Sequence, residues 1–205
     1  MAVKELTSPL PELIVFDLDW TLWPLDVDCQ TMPFRAAPGG GGTAIDADGA
    51  RLAPFPDTPA ILASLFDAGL RVAFASRTHD AAAAEALLRL LPLPARGSAG
   101  SGSAGGGGGL CLWDLLRGER GLFQAYPSRG ARAKEAHFAA LREASGVEPQ
   151  QWLFFDDLSE NTRVALAGGV AAVELDRQGL TWARWEEGLA LWRRRQAAGG
   201  GAGAR

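Results

Sequence analysis

The stretch Leu13-Ile-Val-Phe-Asp-Leu-Asp-Trp-Thr-Leu-Trp-Pro24 constrains this chain more than any other. Leu13 to Phe16 form a short, continuous apolar run that leads straight into Asp17. Such a run reads as a strand covered on both faces, the kind found inside a parallel sheet. Open α/β sheets bind ligands at the carboxyl ends of their strands, so Asp17 stands at the mouth of an expected crevice. In an extended chain alternate side chains share a face, which brings Asp17 and Asp19 together. Two carboxylates that close repel unless a cation lies between them or one keeps a proton. Ligand sets made only of oxygen suit Mg²⁺. A bland reading stands beside this one: a strand end with two solvated acids before a turn.

Composition narrows the setting. A chain of 205 residues can bury one good core. A net charge of −4 and a pI near 5.2 give no electrostatic reason to expect a nucleic-acid partner. Cys29 and Cys111 alone make no disulfide framework, which fits a reducing compartment. No apolar run approaches the roughly 20 residues of a membrane span. The first residues lack both the apolar centre of a secretory signal and the Arg-rich character of a transit peptide. The expectation is a soluble, cytoplasmic monomer, bound to neither membrane nor nucleic acid.

Residues 1–12 read as a disordered lead and 10–196 as one domain. Between 24 and 56, five prolines and the glycine run 39–42 leave little helix potential. There Asp48-Gly49 separates two short segments, a hairpin-turn signal. This insertion reads either as a small β-hairpin flap or as a plain loop. A helix starts after Asp57-Thr-Pro59, with Asp57 or Thr58 as its cap, and stops at Gly69. Leu70 to Ala75 form a second buried strand, ending in Ser76-Arg77-Thr78. A helix follows over 80–91. Residues 96–109, nearly all Gly, Ser and Ala, read as a flexible insertion. Residues 110–116 suggest a short helix or turn. Further on, strands are expected at 122–127, 152–155 and 169–175, and helices at 129–145, 158–167 and 181–196. Trp182, Trp185, Leu189 and Trp192 recur at helical spacing, as core residues do. A disordered tail is expected over 197–205. Alternating strands and helices predict an α/β fold with a doubly wound parallel sheet.

The strand ends then offer Asp17 and Asp19, Ser76 and Arg77, and Asp156 and Asp157, with Lys134 near the helix after the third strand. Acids that can hold a cation, a hydroxyl and a fixed positive charge are the set that a phosphate ester needs. One carboxylate can attack phosphorus. A second can protonate the leaving oxygen and later activate water. Arg129 and Arg132 are rivals of Lys134. Ser76 could instead cap the next helix, and Arg77 could be an ordinary surface arginine.

Phe16-Asp-Leu-Asp-Trp-Thr-Leu22, Ala75-Ser-Arg-Thr78, Lys134 and Phe155-Asp-Asp157 with Asn161 resemble the four motifs of the haloacid dehalogenase-like phosphohydrolases. The Thr-Leu-Trp-Pro extension narrows the resemblance to the eukaryotic magnesium-dependent phosphatase family. That resemblance implies a Rossmann-like sheet with a small flap in place of a large cap, and Mg²⁺ as cofactor. It implies Asp17 as nucleophile and metal ligand. Asp19 becomes the general acid/base, with its carbonyl on the metal. Asp157 completes the metal site, with Asp156 as a supporting neighbour whose rank against Asp157 stays open. Ser76, Arg77, Lys134 and the Leu18 backbone hold the phosphate. Phosphotyrosine proteins and phosphorylated small molecules such as sugar-phosphate adducts are the implied substrates.

Other residues carry less. His79 and His137 read as surface or helix residues, Cys29 and Cys111 as inert, and Thr21 as fixing the turn by hydrogen bonding. Asp19 disfavours a dehalogenase, whose leaving halide needs no acid. It also disfavours an ATPase, which must protect its aspartyl-phosphate. A non-catalytic phospho-acceptor or scaffold domain is the alternative from another class.

Overall fold

The computed structural model describes residues 7–94, 109–128, 130, 132 and 134–200. The expected insertion at 96–109 lies outside them apart from Gly109. Strands β1 (Leu13–Phe16), β5 (Arg71–Ser76), β6 (Phe123–Ala125), β7 (Trp152–Asp156) and β8 (Ala171–Glu174) form one parallel sheet in the order β6-β5-β1-β7-β8. The longest apolar runs thus hold the central places. Every residue of β1 and β7 is buried, which explains why these strands show no alternation.

Helices α1 (Thr58–Asp67), α2 (Ala81–Leu90), α3 (Glu135–Ser145), α4 (Ser159–Ala167) and α5 (Trp182–Gly200) cover the sheet. Right-handed crossovers put α1 and α2 on one face and α3 and α4 on the other. Over the second face α3 and α4 touch each other. Helix α5 joins α1 on the first face. There Phe155 stacks between Phe16 and Trp185, at 5.4 and 5.8 Å between ring centroids.

Register decides where the chemistry gathers. Phe16 lies opposite Phe74 on one side and Phe155 on the other. The next residues of the three strands, Asp17, Ala75 and Asp156, therefore meet at one edge. The Asp17 amide donates to the Phe155 carbonyl at 3.0 Å, which extends the ladder one residue into the site.

The insertion folds as a flap of three strands rather than a single hairpin: β2 (Arg35–Ala36), β3 (Ala44–Ile45) and β4 (Arg51–Leu52). Glycines 39–42 turn β2 into β3, and all four have positive φ. Asp46 fixes the second turn. Its Oδ1 accepts from the amides of Ala50 at 2.7 Å and Asp48 at 3.0 Å.

Several boundaries differ from expectation. Asp57 makes no side-chain cap on α1; its carboxylate accepts the Trp182 amide at 3.1 Å and serves the start of α5. Helix α3 begins at Glu135 rather than near 129. Helix α5 runs through Gly200, so 197–200 are helical and not a disordered tail; 201–205 lie outside the described residues. The lead is tied down from Thr7 onward. Arg193 on α5 donates to the carbonyls of Pro9 and Thr7, and the Glu12 amide donates to the Gln151 carbonyl at 3.0 Å.

Candidate active site

The site is built around an ammonium. Lys134, wholly buried at the start of α3, donates to Asp17 Oδ1 at 2.5 Å, to Asp156 Oδ2 at 2.6 Å and to the Ala75 carbonyl at 2.5 Å. All three donor positions of the ammonium are thereby used. Burial alone would lower its pKa, but Asp156 and Asp17 outweigh burial and raise it, so Lys134 stays charged. Arg129 lies outside the described residues; Arg132 pairs with Glu135 at the surface. Of the two rivals that can be placed, Lys134 is the one inside the site.

Asp156 and Asp157 part company at the end of β7. Asp156 is buried and accepts from Lys134, from the Leu158 amide at 2.8 Å and from Asn161 Nδ2 at 3.0 Å. Asp157 is only half-buried, and its pKa rises to about 6, chiefly through desolvation and then through the charge of Asp156. Carboxylate oxygens of Asp17, Asp156 and Asp157 all lie within 4.8 Å of one another. Burial pushes the Asp17 carboxyl well up against the opposing pull of Lys134.

This donor set fits a hard divalent cation. It is oxygen only, as Mg²⁺ prefers. Three carboxylates against one ammonium leave two negative charges in a poorly solvated place, the charge that a divalent ion neutralises. Without it, carboxyls keep protons, which is what the raised pKa values of Asp17 and Asp157 express.

Asp19 is brought to the same loop, but its carboxylate is outside that trio. Trp23 Nε1 donates to its Oδ1 at 2.7 Å. Desolvation outweighs that bond and raises its pKa to about 7. Trp23 was not singled out by the sequence reading. Its signal is spacing: a turn returns residue 23 beside 19, through the Leu22 amide on the Leu18 carbonyl at 2.8 Å and the Trp20 amide on the Trp23 carbonyl at 2.8 Å. Among the described residues the Thr21 hydroxyl has no hydrogen-bond partner; backbone bonds hold the turn, including the Thr21 amide on the Leu18 carbonyl at 3.2 Å. So the expectation for the Thr21 side chain is corrected.

Ser76 ends β5, buried, and its Oγ accepts the Thr78 amide at 3.3 Å. Arg77 turns its guanidinium to α4, with Glu160 Oε1 at 2.5 Å and Asn161 Oδ1 at 3.3 Å. Helix α2 is capped by Asp80 and not by Ser76, since the Ala83 amide donates to Asp80 Oδ1 at 2.9 Å. Asp28, missed in the sequence, straps this loop from outside: its carboxylate accepts from the Thr78 hydroxyl, the His79 amide and the Asp80 amide. His79 is exposed beside it, as expected. His137 lies in helix α3, one of its two expected places, but not at the surface: it is buried, stacked on Tyr126 with centroids 4.0 Å apart. Cys111 is half-buried with its thiol on Asp114, and burial pushes its pKa up, which fits an unreactive thiol.

The family model described as Acid Phosphatase matches residues 9–195. The human Magnesium-dependent phosphatase 1 is 30% identical over 191 residues, covering 91% of this chain and 90% of that protein. The chain belongs to the haloacid dehalogenase-like magnesium-dependent phosphatases. A HAD-like hydrolase superfamily protein of Schizosaccharomyces pombe is also 30% identical, over 159 residues, covering 77% of this chain and 82% of that one. Among solved structures, CbbY from Rhodobacter sphaeroides in complex with phosphate superposes with a TM-score of 0.51 at 16% identity, over 82% of this chain and 88% of that one. At that identity the likeness shows the fold alone, a Rossmann-like sheet flanked by helices. Membership makes this magnesium-dependent phosphatase a Mg²⁺-using hydrolase of phosphate esters. No helix of the described residues is long and apolar enough to cross a membrane.

Proposed function

We propose that the chain hydrolyses phosphomonoesters through an aspartyl-phosphate on Asp17. The observation that carries this is the pairing of Asp17 with a buried ammonium next to a second carboxyl, Asp19, poised near neutrality. Lys134 and the burial around Asp17 hold one carboxylate oxygen in place at 2.5 Å and leave the other for attack. In the first step the Asp17 oxygen bonds to phosphorus and the bond from phosphorus to the leaving oxygen breaks. Asp19, protonated below its pKa of about 7, gives its proton to that leaving oxygen. In the second step Asp19 takes a proton from water, the water oxygen bonds to phosphorus, and Asp17 leaves as a carboxylate. Inorganic phosphate is the product. Asp17, Asp157 and the Asp19 carbonyl would hold Mg²⁺, which would supply charge neutralisation for the phosphoryl group. Ser76 and the Leu18 backbone contact the phosphate in this reading, and Lys134 joins them by exchanging one of its three present bonds. Arg77 joins them only by leaving Glu160.

The substrate reading is a phosphotyrosine side chain or a sugar-phosphate adduct, met in the cytoplasm by a monomer. Two features support room for a bulky group. The flap strands are two residues each, and Trp20, beside Asp19, is 37% exposed with Arg177 5.8 Å from its ring.

Rapid-quench kinetics test the mechanism. Asp17→Asn, nearly isosteric, is expected to keep the fold and lose turnover, because an amide neither attacks phosphorus nor holds the cation well. Asp19→Asn is expected to give a burst of about one nitrophenol per enzyme from an aryl phosphate, then slow turnover. Its loss with alkyl phosphates should be larger, within the 10²–10⁴-fold or so that general acid/base help supplies. Equal losses with both substrates and no burst remove Asp19 from acid/base duty. A side-by-side screen of phosphotyrosine peptides and phosphorylated sugars decides the substrate class.

A further inference from the structure

His137 sits one helical turn after Lys134, on the same face of α3. Lys134 bonds the Ala75 carbonyl at 2.5 Å; His137 Nε2 bonds the next carbonyl, that of Ser76, at 2.8 Å. The same nitrogen lies 3.1 Å from the Tyr126 carbonyl. Both partners are acceptors only, so Nε2 carries the hydrogen and the ring is the donor. The Tyr126 amide also donates to the Ser76 carbonyl, at 3.2 Å. Successive carbonyls of an extended chain point to opposite sides. Grips on the Ala75 and Ser76 carbonyls therefore fix the peptide planes at the end of β5. From there the Ser76 hydroxyl is delivered to the site edge, with its Oγ further fixed by the Thr78 amide.

We propose that His137 is a positioning residue for the phosphate subsite, acting through the carbonyl of Ser76. The inference rests on the phosphatase reading and deepens it. A histidine kept only for packing would need its ring and not its donor. Here the ring is fully buried against Tyr126 and spends its donor on the strand end that carries a phosphate contact. Without the donor, the Ser76 carbonyl keeps only the Tyr126 amide at 3.2 Å and loses its tie to α3, while Lys134 still holds the neighbouring carbonyl. Ser76 then samples orientations that do not meet phosphate, and affinity falls for any phosphoryl group whatever its leaving group.

The test compares His137→Met, which fills the space without a donor, with His137→Gln, whose Nε2 can reach the carbonyl. His137→Asn is polar but too short, and it controls for polarity. For each, KM and kcat for an aryl phosphate are measured with Mg²⁺ on protein shown folded by its melting curve. The inhibition constant of inorganic phosphate is measured alongside. Loss of one oriented donor predicts about a tenfold rise in KM and in the phosphate inhibition constant for Met and Asn, with kcat changed less, and recovery in Gln. On a Ser76→Ala background, His137→Met should add little further loss. Unchanged constants in folded His137→Met overturn the proposal. So do equal losses in Met and Gln, or full additivity with Ser76→Ala. If His137→Met does not fold, the contrast between Gln and Asn decides alone. Wild-type protein that neither turns over the ester nor binds phosphate defeats the phosphatase reading itself, a result distinct from any pattern among the variants.

Discussion

Asp156 and Asp157 are consecutive in sequence and opposite in commitment: Asp156 is wholly buried under bonds from Lys134, Asn161 and the Leu158 amide, while Asp157 is half-buried with a pKa raised to about 6. The first holds the ammonium; the second is the carboxyl with room for a cation. Removing one partner of a buried ion pair costs about 3–5 kcal/mol. Asp156→Ala is therefore expected to lower stability by that order and to lose activity with it. Asp157→Ala should melt within a few degrees of wild type in EDTA and lose the stabilisation that Mg²⁺ gives. Melting curves with and without Mg²⁺ separate the two. A strong Mg²⁺ shift retained in Asp157→Ala would hand the ligand role to Asp156.

The metal-free protein should lose stability as pH rises. Asp19 and Asp157 have folded pKa values of about 7 and about 6, above the unfolded value, because desolvation penalises the charged forms. Groups raised in this way favour the folded state fully below the unfolded pKa near 4, and that contribution fades as pH climbs through 6 and 7. Mg²⁺ competes with the protons on Asp17 and Asp157. Its stabilisation grows with bound fraction and should therefore be larger near pH 8 than near pH 5. Thermal melts in EDTA and in excess Mg²⁺ across that range check both signs. A metal-free melting temperature that is flat over the range refutes the assignment.

Most of this site was legible because register and composition agree. Leu13 to Phe16, Leu70 to Ala75 and Trp152 to Phe155 are continuous apolar runs, and each ends in the polar residue that the sheet edge presents. The flap's first strand was not legible: Arg35–Ala36 is two exposed residues long and carries no alternation. The role of Asp57 was misplaced because a capping residue names a helix start without naming which helix; here it serves α5, far along the chain. His137 gave no signal beyond its three-residue spacing from Lys134, since its partners are backbone carbonyls of two other strand ends. Contacts with backbone leave no trace in side-chain pattern.

Gly188 in the middle of α5 sets helix propensity against packing. Alanine is preferred to glycine in a helix by about 1 kcal/mol. A Cβ at 188, however, would sit 2.7 Å from Phe155 Cζ and 3.2 Å from Leu153 Cδ1. Phe155 cannot move away cheaply, being stacked on both Phe16 and Trp185. Overpacking of this kind costs about 1–3 kcal/mol, so the clash wins or at least cancels the propensity gain. Gly188→Ala is expected to lower the melting temperature, with Phe155→Leu on the same background recovering part of the loss. A stabilised Gly188→Ala would mean that α5 rides further from β7 than the structure places it.

Trp20 has φ 57°, a left-handed backbone that side chains with a Cβ adopt at a cost of about 1–2 kcal/mol. The conformation is imposed by the turn, where the Trp20 amide donates to the Trp23 carbonyl at 2.8 Å while Trp23 holds Asp19. Trp20→Ala removes the ring and keeps the strain; Trp20→Gly removes both. The difference between these two variants isolates the backbone term, and the ring is common to both losses. Trp20→Gly is expected to be the more stable by about 1 kcal/mol, some 2–4 °C in a chain of this size, because glycine's greater freedom when unfolded offsets part of the relief. If the ring also supports a bulky leaving group, both variants should raise KM for an aryl phosphate equally and leave the inhibition constant of inorganic phosphate unchanged. Equal melting temperatures for the two variants would show that residue 20 relaxes out of the left-handed region once its ring is gone.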